Sequence, residues 1–333
     1  MEKLPMITGK NLSLENIETA TNRLSLSRIE GSTKYKGEIE QSPEILKSIE
    51  IINSCLKQEF NDLGIPEMWS EVKAEQYHLL HSSTFFDLRW VRSTEGVLAS
   101  FMARSCEILV NFDDFIRRGT IADLQSTLLH ESVHANSFQK FSYHNLNNVV
   151  IQERIGYQGR SSEGFKKQNF LGLNEAVTEK LARELFNKNK SQFKGLKLFQ
   201  EKETAEDYQA YDGYISVLDF LIEKIADKNQ VSSEEVWKKF KKGMMTGEMM
   251  HLREIEKVFG QKSLLIISLL GNEGLESYWG ASGTNLILLY LYATTESQQQ
   301  KLREKIFEIM DASKEPRGCI IYEDDDGYIE RPY

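Results

Sequence analysis

Apolar positions along this chain change rhythm twice. Residues 1–40 are polar, with turn-formers such as "EGSTKYKGE" and little periodic patterning, and predict an arm or a loosely packed segment. Helical spacing then begins. Ile45, Leu46, Ile49, Ile52 and Leu56 recur at three- and four-residue steps behind Ser42-Pro43, a capping residue followed by a proline suited to a first turn. Four short runs follow, "QYHLLHS", "FFDLRWVRS", "GVLASFMA" and "CEILVNF". They are rich in β-formers and separated by Ser, Thr and Gly, which predicts a small sheet. From Thr120 onward the pattern is almost wholly helical, most clearly over 120–138, 174–188, 205–227, 232–243, about 251–270 and 283–296. The tail "RGCIIYEDDDGYIERPY" reads as a strand, an acidic turn and a second short strand. A mixed sheet followed by helices predicts an α+β fold. The expected divisions are an arm over 1–40, a lobe with sheet over 41–140 and a mainly helical lobe over 141–333.

One of these helices carries chemistry. In "TIADLQSTLLHESVHANSF", Thr120 reads as an N-cap with Asp123 in the first turn. Ile121, Leu124, Leu128, Leu129 and Val133 supply the buried side. His130 and His134 are four residues apart, so they lie one above the other on a single face. Glu131 is displaced about 100° around the axis. Two imidazoles in this H-E-x-x-H spacing can reach one zinc ion, and the glutamate can reach a water on it.

Such an ion needs a third protein ligand. "LGLNEAVTEKLARELF" supplies acidic residues at helical spacing: Asn174 reads as an N-cap, and Glu175 and Glu179 share a face. Leu173, Val177, Leu181 and Leu185 form the opposite, apolar stripe.

"HESVH" followed by "GLNEAVTE" resembles the gluzincin metallopeptidases, the thermolysin-like group, whose second motif reads approximately N-E-x-x-(S/T)-(D/E). The resemblance covers about residues 85–190. It implies a zincin-like fold in which His130, His134 and Glu175 hold one zinc per chain, Glu131 is the general base, and Glu179 orients a ligand histidine. It also implies a peptide or protein substrate and an edge strand just before the zinc helix. "CEILVNFDDF" occupies that place, with Asn111 near its end as a substrate-binding residue. Related enzymes use a tyrosine or histidine to stabilise the oxyanion. Tyr208, Tyr211 and Tyr214 recur along one helix flank, and Tyr214 is the first choice, with Tyr157 and His144 as alternatives. The spacing between the motifs is wider than in thermolysin, which predicts an inserted loop over about 140–172. No G-x-M-E-N-type motif is present, which leans away from the aminopeptidase branch and toward endopeptidase action.

Composition narrows the alternatives. A formal net charge of −9 argues against nucleic acid as the partner, and no apolar run approaches the ~18–20 residues that span a bilayer. Three scattered cysteines without a CxxC pair suggest reduced thiols in a cytosol-like compartment. The N-terminus lacks a secretory layout, although export by a specialised route is compatible with that. The competing readings are a zincin-fold binding protein with little hydrolysis, against which the intact Glu131 counts, and a helical interaction protein in which both motifs are coincidence. His78 and His81 flank an expected strand and belong to it rather than to a metal. The methionines before His251 read as core filling, Cys106 as part of an apolar strand, and "EDDDG" as a solvated turn.

Overall fold

The computed structural model describes residues 5–9, 13–31, 34–89, 97–118, 121–144, 149–160, 168–193, 211–272, 282–312, 319–324 and 327–332. It is a mixed α+β fold that divides into two compact units, 1–152 with 181–208, and 153–180 with 209–333.

The first unit holds a four-stranded sheet in the order β2-β3-β5-β4, from β2 (Glu38–Ile39), β3 (Tyr77–Leu80), β4 (Ala99–Met102) and β5 (Glu107–Asn111). β3 and β5 are parallel, whereas β2 and β4 run antiparallel to their neighbours. Every residue of β3 and β5 is buried, as expected of central strands. "CEILVNFDDF" is therefore not an edge: β5 lies inside the sheet and β4 is the outer strand on that side.

The sequence expected an arm over 1–40. Instead β1 (Met6–Thr8) pairs in parallel with β6 (Gln139–His144), and α1 (Leu14–Gly31) buries Ala20 and Leu24. Two buried positions are enough to anchor an otherwise polar helix, and a pattern this sparse does not register as periodic. Helix α2 (Pro43–Asp62) forms as expected, with the Ser42 hydroxyl accepting from the Ile45 N–H.

"FFDLRWVRS" was expected to be a strand, yet α3 spans Ser82–Arg89. Its start is fixed from a distance. The Ser82 N–H donates to Asp113 Oδ2 at 2.9 Å and its hydroxyl to Asn111 Oδ1 at 2.7 Å, while Phe85 packs on Leu80 and Leu109. Capping and burial override the β-propensity of the aromatics. Asp113 itself belongs to α4 (Phe112–Arg118), which follows β5 directly. Cys106 lies in the turn before β5 with φ 59°, not in a strand.

Helix α5 (Ile121–Asn136) carries the two histidines; Thr120, its expected cap, lies outside the described residues. The sequence gives the helix one buried side, but almost no side of it reaches water. Leu124, Gln125 and every residue from Leu128 to Ser137 are buried.

In the second unit, the expected loop of 140–172 is partly strand. β7 (Val149–Ile155), which the division cuts after Gln152, pairs antiparallel with β8 (Gln158–Arg160), and β8 with β9 (Gln168–Asn169). Helix α6 (Leu171–Lys188) belongs to this unit as far as Lys180 and to the first unit from Leu181 on; the short α7 (Lys190–Phe193) follows it. The remaining helices are α8 (Asp212–Asn229), α9 (Ser233–Thr246), α10 (Arg253–Phe259), α11 (Ser263–Ser268), α12 (Ser282–Tyr292) and α13 (Glu296–Ala312). The one helix expected over 251–270 is two, because Gly260 and Lys262 take positive φ and break it. The core of this unit gathers Leu218, Leu221, Phe240, Met244, Ile255, Ile267, Ile287 and Ile306. The tail forms the expected hairpin of β10 (Cys319–Asp324) and β11 (Gly327–Pro332).

Candidate metal centre

Polar contacts on α5 away from its histidines fix how the helix is turned. Gln125 donates to the Ser48 hydroxyl of α2 at 3.1 Å, Ser132 shares a 2.7 Å hydrogen bond with the Tyr77 hydroxyl of β3, and Asn136 Oδ1 accepts from the Ser70 N–H at 3.0 Å. These positions, 125, 132 and 136, fall on one face at helical spacing. Burial pushes the Tyr77 hydroxyl well above its ordinary pKa, so it stays protonated. With that face tied down, His130 and His134 are held with their Nε2 atoms 3.1 Å apart and their rings edge-on, centroids 4.8 Å apart.

Helix α6 brings the third residue. Ligand atoms of His130, His134 and Glu175 all lie within 4.8 Å of one another. The set passes a simple test of fit: two nitrogens 3.1 Å apart can both touch an ion at a bond length of about 2.0–2.1 Å, and an imidazole pair with one carboxylate is a donor set that zinc accepts. His130 and His134 are buried, Glu175 is half-buried, and Glu131 is buried beside them in sequence. Glu179, one turn beyond Glu175, is also half-buried.

The start of α6 is fixed differently from what the sequence suggests. The helix begins three residues before Asn174, so Asn174 is not its cap. Its Oδ1 instead accepts from the Tyr157 N–H at 2.9 Å, in the tight β7–β8 turn where Gly156 has φ 52°. A side chain at Gly156 would meet Asn174 Oδ1 at 2.3 Å. Backbone bonds from Phe170 to Ser268 and from Gly172 to Leu270 complete the clamp. Sequence reading missed this, because the partners lie some distance along the chain and only the glycines hint at a close approach.

Other expected residues are placed elsewhere. Asn111 is fully buried, with Oδ1 accepting from Ser82, so its side chain has no open face for a substrate. The Tyr157 hydroxyl is buried in bonds of 2.7 Å to Phe240 O and to His251 Nε2, which removes it from the oxyanion candidates. Tyr214 stands in the first turn of α8, its ring 5.9 Å from that of Tyr211, and Tyr208 lies outside the described residues. His144 ends β6, exposed, 3.2 Å from the Ser142 hydroxyl. Met244 and Met245 are core residues, but Met250 is exposed. No helix among the described residues is long and apolar enough to cross a membrane.

Comparison with protein-family models, curated proteins and solved structures finds no match.

Proposed function

We propose that this chain is a zinc-dependent peptidase of zincin-like fold, with His130, His134 and Glu175 as the metal ligands. One observation carries the reading: two imidazoles and a carboxylate converge within 4.8 Å, next in sequence to a buried glutamate at the position that the H-E-x-x-H geometry gives to a base. A zinc ion in such a site supplies Lewis-acid polarisation of a carbonyl and a water acidic near neutral pH.

The protein's own residues do the rest. Glu131 accepts a proton from the attacking water at its carboxylate and returns it to the leaving amine. Glu179 accepts the second ring N–H of a ligand histidine and so fixes its tautomer. The outer strand β4, in the same unit as α5, offers an extended peptide a backbone edge to pair with, the part that β5 cannot play. Tyr214 is the donor assigned to the developing oxyanion.

The test joins metal content with turnover. About one zinc per wild-type chain, lost in His134→Ala, together with cleavage of a peptide library that Glu131→Gln slows by about 10²–10⁴-fold while keeping its zinc, is the expected result. Zinc-free protein after zinc has been offered would sink the reading. Undiminished cleavage by the Glu131 variant would remove its base.

A further inference from the structure

A closed ring of polar contacts in the four-stranded sheet takes no part in that chemistry. His78, in β3, is 1% exposed. Its Nδ1 lies 3.1 Å from Glu38 Oε2 in β2, and its Nε2 lies 3.3 Å from Glu107 Oε1 in β5. Tyr35 closes the ring from the segment that leads into β2. Its N–H donates to Glu38 Oε2 at 2.9 Å, its hydroxyl donates to Glu107 Oε1 at 2.6 Å, and its ring stands edge-on to the imidazole at 4.9 Å.

A neutral imidazole has one N–H and one lone pair. Whichever nitrogen were bare would aim its lone pair at a carboxylate oxygen. Tyr35 cannot supply the missing proton, because its own already goes to Glu107, and burial together with Glu107 keeps it from ionising. An imidazolium donates from both nitrogens and satisfies both carboxylates with charge-assisted bonds. Burial pushes the Glu107 carboxyl up, but hydrogen bonds from His78, Ser105 and Tyr35 outweigh it and hold the group below the usual carboxylate range.

The ring also does mechanical work. β2 meets β3 through only two residue pairs, Glu38 with Leu80 and Ile39 with Leu79, too short a ladder to be stable alone. Tyr35 packs on the cluster of Leu80, Phe85 and Leu109. The strap over residues 34–39 therefore depends on the ring.

We propose that His78 is a proton-operated latch: as an imidazolium it holds the 34–39 strap and β2 on the sheet, and on losing a proton it lets them go and leaves the β3 edge open. Among the described residues, Glu38 from β2, Glu107 from β5 and Tyr35 from the strap face it. Set between two carboxylates, the ring is satisfied by the imidazolium, so the latch holds while both ring nitrogens carry protons and is lost as rising pH removes one. On the acid side, the depressed Glu107 contributes above its ordinary value of 4.5 and fails as pH falls through its lower folded value. The strap is closed between these limits.

The test combines ring-nitrogen NMR of His78 with hydrogen exchange of the 34–39 amides in the full chain. Two protonated ring nitrogens are expected at about pH 6, with protection factors for the strap falling at least about tenfold by about pH 9. In His78→Gln that pH dependence should vanish. Glu38→Gln, which keeps the imidazole, should move the histidine's titration to lower pH, and it carries the test if the first variant does not fold. A single ring N–H at about pH 6, protection that does not change with pH, or an unmoved titration in Glu38→Gln would each overturn the latch.

Discussion

Two buried histidine sites stand in the first unit and ask for opposite things. On α5, His130 and His134 turn their Nε2 atoms toward each other, 3.1 Å apart. In β3, His78 turns each nitrogen toward a carboxylate. A facing pair of nitrogens can share one proton or one ion, but two imidazolium groups there would repel. An imidazole between carboxylates needs its second proton. Burial alone therefore says little about what a histidine does; the partner at each nitrogen decides. A third case in the second unit completes the series. His251 meets the Tyr157 hydroxyl, which already donates to Phe240 O, so the histidine donates and stays neutral. Burial, with Lys239 and Arg154 nearby, pushes its pKa down to about 4.

The contrast can be broken by variants that should act on one site and not the others. The largest effect is expected from Glu175→Ala, which should weaken zinc binding by at least about 10²-fold, whereas His78→Gln should leave zinc content unchanged; zinc titration of both variants decides it. Glu179→Gln should cost about 10–100-fold in metal affinity, the scale of a lost partner behind a ligand. Gly243→Ala probes the third site alone. A Cβ there would meet His251 Cε1 at 2.1 Å and the Tyr157 hydroxyl at 2.6 Å, so denaturant unfolding should show a loss of about 1–3 kcal/mol. The smallest effect comes from pH. The depressed His251 contributes stability that is complete above its unfolded value of 6.5 and is lost as pH falls from there toward about 4. A His251→Gln chain should lack that part of the acid destabilisation in a pH series of melting curves.

Local chemistry was legible in the sequence, and distant chemistry was not. Ser42 and Ser232 cap α2 and α9 where the pattern places helix starts, and the spacing of His130 and His134 alone puts both rings on one face. Glu38, His78 and Glu107 are scattered among three strands, so no window of sequence brings them together. Phe85 and Phe86 carry strand propensity, and it takes Asn111 and Asp113, well down the chain, to fix a helix start at Ser82. Asn174 shows a good capping residue used for something else: it ties a turn to the helix that bears Glu175. The inserted strands β6 to β9 were unreadable because they are short, and their pairing, not their pattern, defines them.

Helix α5 has almost no solvent face, from Leu124 to its C-terminus. Helices with a wet side can fray a turn at a time, and the residues they carry come and go with local opening. From Leu128 to its end every residue of α5 is buried, so that stretch cannot open in this way without taking its surroundings apart. Its amides should be among the slowest-exchanging of the first unit, and its geometry should persist until the whole unit gives way. On warming, any work done by His130, Glu131 and His134 should end at the same temperature as the fold, not before it.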